Sequence, residues 1–352
     1  MTLTVLDAAD PAGRAAWLAA WEAWPEREPS AHPDYARLFA RPGDRVVCAL
    51  GAGPDGGILF PLIVRELAAE PWARAGETRR DATTPYGYGG PYAWGRRDDA
   101  AFWEAYRRWC ASERIVTTFA RLSLFPEQLA ALPEPPRALL PNIVVPLAGG
   151  ADALLKGYEG KVRKWVKTAE AAGLTVEADE TGARLDDFVS IYTHTMTRNA
   201  AASWYFFKRD FFERLVAALP GRFVFFHTLK AGKTVSSDLM LLSRDHAYYF
   251  LGGTLDEAFD DGPNYLLKHR ALSWASEKGL SSFVLGGGYE AGDGLFRYKR
   301  AYARSGEVPF RVAALTHDAA AAAELEQDRA AHEAKAGTQW APKASYFPSY
   351  RG

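Results

Sequence analysis

The order of elements along this 352-residue chain predicts a mixed α/β (α+β) fold with two similar halves. Two observations carry that expectation. Each half shows apolar strand-like runs punctuated by Gly/Pro turns, and in each half these runs are followed by one helical segment and one more strand. In the first half a helix is expected over residues 14–24. Strands over 45–50 and 58–64, joined by the glycine- and proline-rich turn 51–57, follow as an antiparallel hairpin. The glycine-rich stretch 83–95 leads to an aromatic helix over 98–112, started by Asp98, and to a β-branched strand over 115–120. The proline-rich residues 126–146 read as loops.

The second half repeats this order more clearly. Strands over 222–229, 234–242 and 246–251 are separated by turns at 230–233 and 243–245, a three-stranded meander. Pro263 opens a helix that runs to Lys278, Gly279 stops it, and a strand over 282–285 closes the set. Between the halves, Leu154, Leu155, Tyr158, Val162, Trp165, Val166 and Ala169 recur at helical spacing. Lys156, Lys161, Arg163, Lys164 and Lys167 occupy the other faces, so the segment reads as a basic amphipathic helix. Gly157 and Gly160 each cost about 1 kcal/mol relative to Ala, so the first turns are expected to be broken and the secure part to begin near Lys161. An Ala/Glu-rich helix over 318–335 and an aromatic tail over 346–350 end the chain. The expected division is an N-terminal domain of residues 1–150, a C-terminal domain of 151–316 carrying the donor and catalytic site, and a C-terminal helix and tail at 317–352.

Composition narrows the function. With 48% hydrophobic and 24% charged residues the chain is long enough to bury one large core or two smaller ones. A net charge of -1 gives no overall drive toward polyanions, so nucleic acid would have to meet a local patch. Cys48 and Cys110 are too few for a disulfide framework and lack partners for a zinc site, which points to a reducing cytoplasm. The early Asp7 and Asp10 do not suit a signal peptide, and no segment reaches the ~20 apolar residues of a membrane span. Neither H-E-x-x-H, a Cys/His cluster, G-x-S-x-G nor a P-loop occurs. Metal hydrolase, serine hydrolase and nucleotide triphosphatase chemistry are therefore poor readings, and no metal is expected.

Several stretches stand together in a telling order: TTPYGYGGP in the first half, KVRKWVKTAEAAGL between the halves, then SSDLMLLSRDHAYYFLGGT, NYLLKHRALSWASEKG, VLGGGYEAGDGLFRYKRAYA and a terminal YFPSYR. Their order and spacing resemble the FemAB/FemX-like transferases over nearly the whole chain. The most specific piece is the Gly-Gly-Gly followed by Tyr-Lys in place of the commoner Phe-Lys. This resemblance implies two tandem GNAT-like domains, with the acceptor in a cleft and the donor bound mainly by the second. It also implies transfer of an aminoacyl group from aminoacyl-tRNA to an amine on a peptidoglycan precursor, or acyl-CoA-dependent transfer to a surface-polysaccharide or small-molecule amine. A non-catalytic binding module of the same fold is the remaining alternative. No tightly bound cofactor is expected. The coiled-coil arm of some members has no counterpart here, since no sustained heptad run occurs.

Acyl transfer to an amine needs a deprotonated nucleophile and positive or N–H groups aimed at a developing oxyanion. The resemblance places Lys299, after Tyr298, at the donor end. Gly286, Gly287 and Gly288 end an apolar strand where bare backbone lets a ligand approach, or where the chain simply turns. Asp238 is the first candidate base and Asp293 the second, with a water chain as a third route. Lys161, Lys164 and Lys167 are candidate donor-binding residues, able to meet tRNA phosphates or merely to form a solvated helix face. Arg198 and Tyr205 in TMTRNAAASWY resemble the acceptor-binding stretch of the family. Asp256, Glu257, Asp260 and Asp261 occupy the place of a pyrophosphate loop and read against acyl-CoA, although they also suit a helix start.

Overall fold

The computed structural model describes residues 2–53, 55–343 and 345–352, and the chain divides into two units. The first comprises the residues up to Leu139 together with Phe310–Gly352, and the second is Leu140–Pro309.

The first unit begins with β1 (Thr2–Asp7), α1 (Pro11–Ala23) and α2 (Pro33–Leu38), followed by β2 (Arg45–Gly53), β3 (Gly56–Glu66), β4 (Arg80–Thr83), β5 (Tyr92–Gly95), α3 (Asp99–Ser112) and β6 (Ile115–Arg121). The second contains β7 (Arg137–Pro146), α4 (Gly150–Gly157), α5 (Gly160–Ala171), β8 (Thr175–Asp179), α6 (Leu185–Arg198) and α7 (Arg209–Ala218). It continues with β9 (Phe223–Lys230), β10 (Lys233–Leu242), β11 (His246–Thr254), α8 (Pro263–Glu277), β12 (Ser282–Gly286) and α9 (Gly294–Arg300). The chain then returns to the first unit with β13 (Glu307–Thr316) and α10 (Ala319–Lys335).

Helix starts follow the capping residues visible in the sequence. Asp98 accepts the Ala101 N–H at 2.9 Å to start α3, and Asp318 does the same for Ala321 at 2.9 Å at α10. Pro263 at the first position of α8 follows Gly262, whose φ of 66° suits a residue without Cβ. The basic helix breaks where its glycines stand, α4 ending at Gly157 and α5 starting at Gly160.

The two units share one strand order. In the first unit β1–β2, β2–β3 and β3–β4 are antiparallel, β4–β6 is parallel and β6–β13 is antiparallel. In the second, β8–β9, β9–β10 and β10–β11 are antiparallel, β11–β12 is parallel and β12–β7 is antiparallel. The duplication expected from element order is therefore visible strand by strand. The contiguous division at 150/151 differs from the observed one: β7 pairs with β12 of the second unit, while Val312–Thr316 of β13 and the C-terminal helix and tail lie in the first unit. The prolines of 126–146 had suggested loops throughout. The apolar Ile143, Val144 and Val145 inside that range are nevertheless buried in a strand.

In the second unit Val224, Phe226, Met240, Ala247, Phe283 and Leu285 pack against apolar residues of α4, α5 and α8. On the opposite face Phe188 of α6 meets both Phe212 of α7 and Phe225 of β9 edge to face. In the first unit α3 covers one sheet face and the Trp17, Trp21 and Ala36 side of α1 and α2 covers the other. No helix among the described residues is long and apolar enough to cross a membrane.

Candidate active site

The site grows from a lysine inside an otherwise apolar helix. Lys268 lies on α8 between Leu267 and Ala271 and is 4% exposed, so its ammonium has no water to lean on. It reaches the sheet instead, where Nζ donates to Asp238 Oδ2 at 2.7 Å. Asp238, 7% exposed, stands on β10 directly across from Gly252 of β11. A Cβ at Gly252 would run into the Asp238 carboxylate, so glycine here makes room for the ion pair. A bulge between Leu239 and Met240 re-aims the strand at this point. The ring of Tyr249 completes the floor: Lys268 Nζ lies 3.5 Å from its centroid and Lys299 Nζ 5.6 Å.

Lys299 enters from α9. Asp293 caps that helix by accepting the Phe296 N–H, 2.6 Å, and also accepts from Tyr289 and Glu290. One turn later Lys299 turns inward, 7% exposed, and donates to the Gly287 carbonyl at 2.7 Å. Parallel pairing of β11 and β12 extends only over His246–Tyr248 and Ser282–Val284, so Gly286, which pairs with Ile143 of β7, and the glycines after it lie beyond that ladder. Gly286 turns with φ 80°, and a Cβ at Gly288 would strike the Asp293 carboxylate.

Lys268 thus holds the buried carboxylate, and Lys299 lies within the field of both. Burial pushes Lys299 down to about 7, the neighbouring Lys268 adds to that, and Asp293 and Asp238 oppose it. Burial also raises Asp238 and lowers Lys268, while their mutual attraction opposes both shifts. Lys268 is paired directly with that carboxylate, whereas Lys299 has the Gly287 carbonyl as its hydrogen-bond partner.

Several expected residues sit differently from their sequence reading. Asp238 faces the interior with Oδ2 committed to Lys268, so it serves as the countercharge of that lysine. Asp293 is a helix cap whose three backbone donors hold its carboxyl below the usual range, which makes it a weak base. Tyr298 is pinned in the core, its OH donating to the Asn264 carbonyl at 3.3 Å and pairing with Tyr302 OH at 3.1 Å. Arg198 donates to the Thr254 carbonyl at 2.7 Å, pairs with Asp256 at 3.4 Å and stacks over Phe259. Tyr205 stacks on Trp204, and its ring lies 6.4 Å from that of Tyr289, which is 67% exposed. Lys161, Lys164 and Lys167 all stand on the exposed face of α5. Three of the four carboxylates that had read against a pyrophosphate have cationic partners: Asp256 with Arg198, Glu257 with Lys233 and Asp261 with Lys230. Their repulsion is largely cancelled locally.

Lys268 and Tyr249 escaped the sequence reading. The available signal was a lysine at core spacing, three residues before Ala271 and four before Leu272, inside NYLLKHRALSW. Among the described residues no group of three His, Cys, Asp or Glu side chains is arranged to hold a metal.

Residues 158–300 match the family described as acetyltransferase (GNAT) domain. Among solved structures the fold is similar to FemX, with TM-score 0.60 and 14% identity over 87% of this chain and 94% of that one. It is also similar to the C-terminal DUF2156 domain of an Agrobacterium fabrum protein described as a lysylphosphatidylglycerol synthetase, with TM-score 0.54 and 14% identity over 90% and 96% of the two chains. For L-PGS from Bacillus licheniformis the values are 0.50 and 13%, over 87% and 91%. No curated protein matches by sequence. At these identities the structural likeness speaks for the fold, and the family match speaks for the second unit. Residues 158–300 are thus a GNAT acyltransferase-type domain, the second of two units with one strand order, in a chain that folds like FemX.

Proposed function

We propose that this chain is an N-acyltransferase that moves an aminoacyl group from aminoacyl-tRNA to an amine of a cell-wall precursor or a related sugar or small-molecule acceptor. The observation that carries the reading is Lys299, buried at the glycine turn after β12 with its proton loosened by burial and Lys268. A side chain that titrates near neutrality suits proton transfer. In its neutral form Lys299 takes the proton that the attacking ammonium must lose. The amine then adds to the donor carbonyl, and the ammonium newly formed on Lys299 faces the oxyanion. Collapse expels the donor oxygen, which takes the proton from Lys299, while the second proton of the attacking nitrogen passes to solvent, and the amide product and neutral Lys299 remain. Asp238 and Lys268 take no proton from substrate in this scheme and set the field around Lys299.

The tRNA part rests on the exposed lysines of α5, a local basic face on a chain of net charge -1. A structural neighbour named for a lysyl-carrying product is in keeping with aminoacyl transfer. Acyl-CoA is the second reading, favoured by the family description of residues 158–300 as an acetyltransferase domain. Arg198 and Tyr205 are the proposed acceptor contacts. Incubation with charged tRNA or with acetyl-CoA, together with a panel of amines, separates the donors by product mass. Aminoacyl products with tRNA alone support the reading, acetyl products alone transfer the chemistry to acyl-CoA, and no product with either donor removes it.

A further inference from the structure

Asp238 sends its side chain toward α8, so its neighbour Ser237 on β10 faces the other way, toward α6. There β9 brings His227 opposite both Ser237 and Glu177 of β8, and Asp179 stands two residues on from Glu177, on the same face. His227 and Ser237 are fully buried, and Nδ1 of the imidazole is hydrogen-bonded to Ser237 Oγ at 2.9 Å. The other ring nitrogen, Nε2, is buried with no hydrogen-bond partner among the described residues. A carboxylate stops just short of it: Asp179 Oδ2 lies 3.9 Å away.

The charged groups around this imidazole are Asp179 and Glu177 on β8 and Arg184 and Asp187 at the start of α6. Arg184 answers two of the carboxylates, Glu177 at 3.1 Å and Asp187 at 3.3 Å, and Asp187 also accepts from Thr234 Oγ1 at 2.6 Å. Asp179 has no lysine or arginine partner among the described residues. Its Oδ1 accepts the backbone N–H groups of Thr181 and Gly182, each at 2.9 Å, and the Thr181 hydroxyl at 2.7 Å, while Oδ2 accepts the Arg184 N–H at 2.9 Å. These bonds tie the end of β8 to the turn that opens α6. Burial raises the Asp179 carboxyl, but the Thr181 hydroxyl and the backbone donors outweigh it and hold the group at about 2. Burial pushes His227 below its ordinary value, with Asp179, Asp187 and Glu177 opposing and Arg184 adding to the shift. At neutral pH a fixed negative charge therefore faces a buried, neutral imidazole.

We infer that His227, Ser237 and Asp179 form an acid-operated latch between β9 and the turn that opens α6. A proton arriving on His227 makes both ring nitrogens donors: Nδ1–H donates to Ser237 Oγ, and Nε2–H is drawn to the Asp179 carboxylate. A hydrogen bond there requires the 3.9 Å gap to close by about 1 Å, and the carboxylate carries with it the residues bonded to it, Thr181, Gly182 and Arg184. The latch is open at neutral pH and closed in acid. Between the folded value of His227 and the ordinary 6.5 the unfolded chain holds a proton that the folded chain does not, so stability falls as pH drops through that window. The inference does not depend on the role of Lys299.

An NMR titration of the full chain from about pH 7.5 to about pH 4 tests it, following the His227 ring, assigned through its own backbone signals, together with the backbone amides. The ring should titrate with a midpoint below 6.5, and the Thr181, Gly182 and Arg184 amides should shift with that same midpoint. In His227→Gln those amide shifts should vanish. Asp179→Asn should lower the His227 midpoint by about 1 unit, the size expected on losing an opposite charge within about 4–6 Å. The amides of that variant should no longer follow the ring, which separates movement of the carboxylate from the bare field of the new charge. The inference is overturned if His227 stays neutral until the chain unfolds in acid, or if it titrates at 6.5 or above. It is equally overturned if the three amides fail to follow the ring in the wild type, or follow it unchanged in Asp179→Asn. Amide shifts that persist in His227→Gln, or an Asp179→Asn midpoint equal to that of the wild type, overturn it as well. Should a variant fail to fold, the ring and amide midpoints of the wild type decide.

Discussion

Replacing Lys299 by Met should stabilise the protein in acid more than in base. In the folded chain Lys299 is pushed from the ordinary lysine value of 10.5 to about 7, chiefly by burial and secondarily by Lys268. Below pH 7 both folded and unfolded chains carry the proton, so the full cost of the buried charge is present. Between pH 7 and 10.5 the folded chain has released the proton and the unfolded chain has not, so stability rises with pH. At about 1.4 kcal/mol per pH unit the cost has a ceiling of about 5 kcal/mol, of which about 3 kcal/mol disappears between pH 6 and pH 9. Lys299→Met lacks this term while keeping most of the side-chain volume. Urea unfolding of both proteins at pH 6, 7.5 and 9 reads the difference directly. The Met variant should lead at pH 6, with its advantage shrinking by roughly 3 kcal/mol at pH 9. An advantage independent of pH, or one that grows with pH, would refute the burial argument.

Asp238→Leu and Lys268→Met should each cost about 3–5 kcal/mol, since each strands a buried charge, whereas the double variant should regain most of that loss in a denaturation cycle. Gly252→Ala should destabilise by about 1–3 kcal/mol and lower turnover, because its methyl group meets the Asp238 carboxylate. Replacing Lys161, Lys164 and Lys167 together by Ala should weaken tRNA binding and reduce the log–log salt slope by about two, measured by fluorescence anisotropy between low and moderate salt.

The elements legible in the sequence were those whose signal is local. Asp98, Pro263 and Asp318 announced their helices within a residue, and Gly157 and Gly160 marked a break that the chain makes. The β9–β11 meander stood out because its strands are buried over most of their length. What escaped depends on partners distant in sequence. β8 is an edge strand with largely exposed side chains and no apolar run, and β7 is a strand through its pairing with β12, far away in sequence. The same holds at the site. Lys299 was found through a motif and Asp238 through an apolar strand, but neither pattern shows that Lys268, thirty residues from Asp238 along the chain, holds that carboxylate. Asp293 and Asp238 look alike as isolated acids in a sequence. Their surroundings separate them, one a cap on the surface of α9 and the other a buried countercharge.

The pH dependence of single-turnover transfer, with donor and amine saturating, compared between wild type and Lys299→Ala, tests the role of Lys299 most directly. For the wild type the rate should climb as pH rises through about 7, where Lys299 loses its proton. Lys299→Ala should be slower by about 100-fold or more and should lack that limb while remaining folded. A variant with the wild-type rate and the same limb, or a wild-type rate that falls through pH 7 while the amine remains reactive, would contradict proton transfer by Lys299.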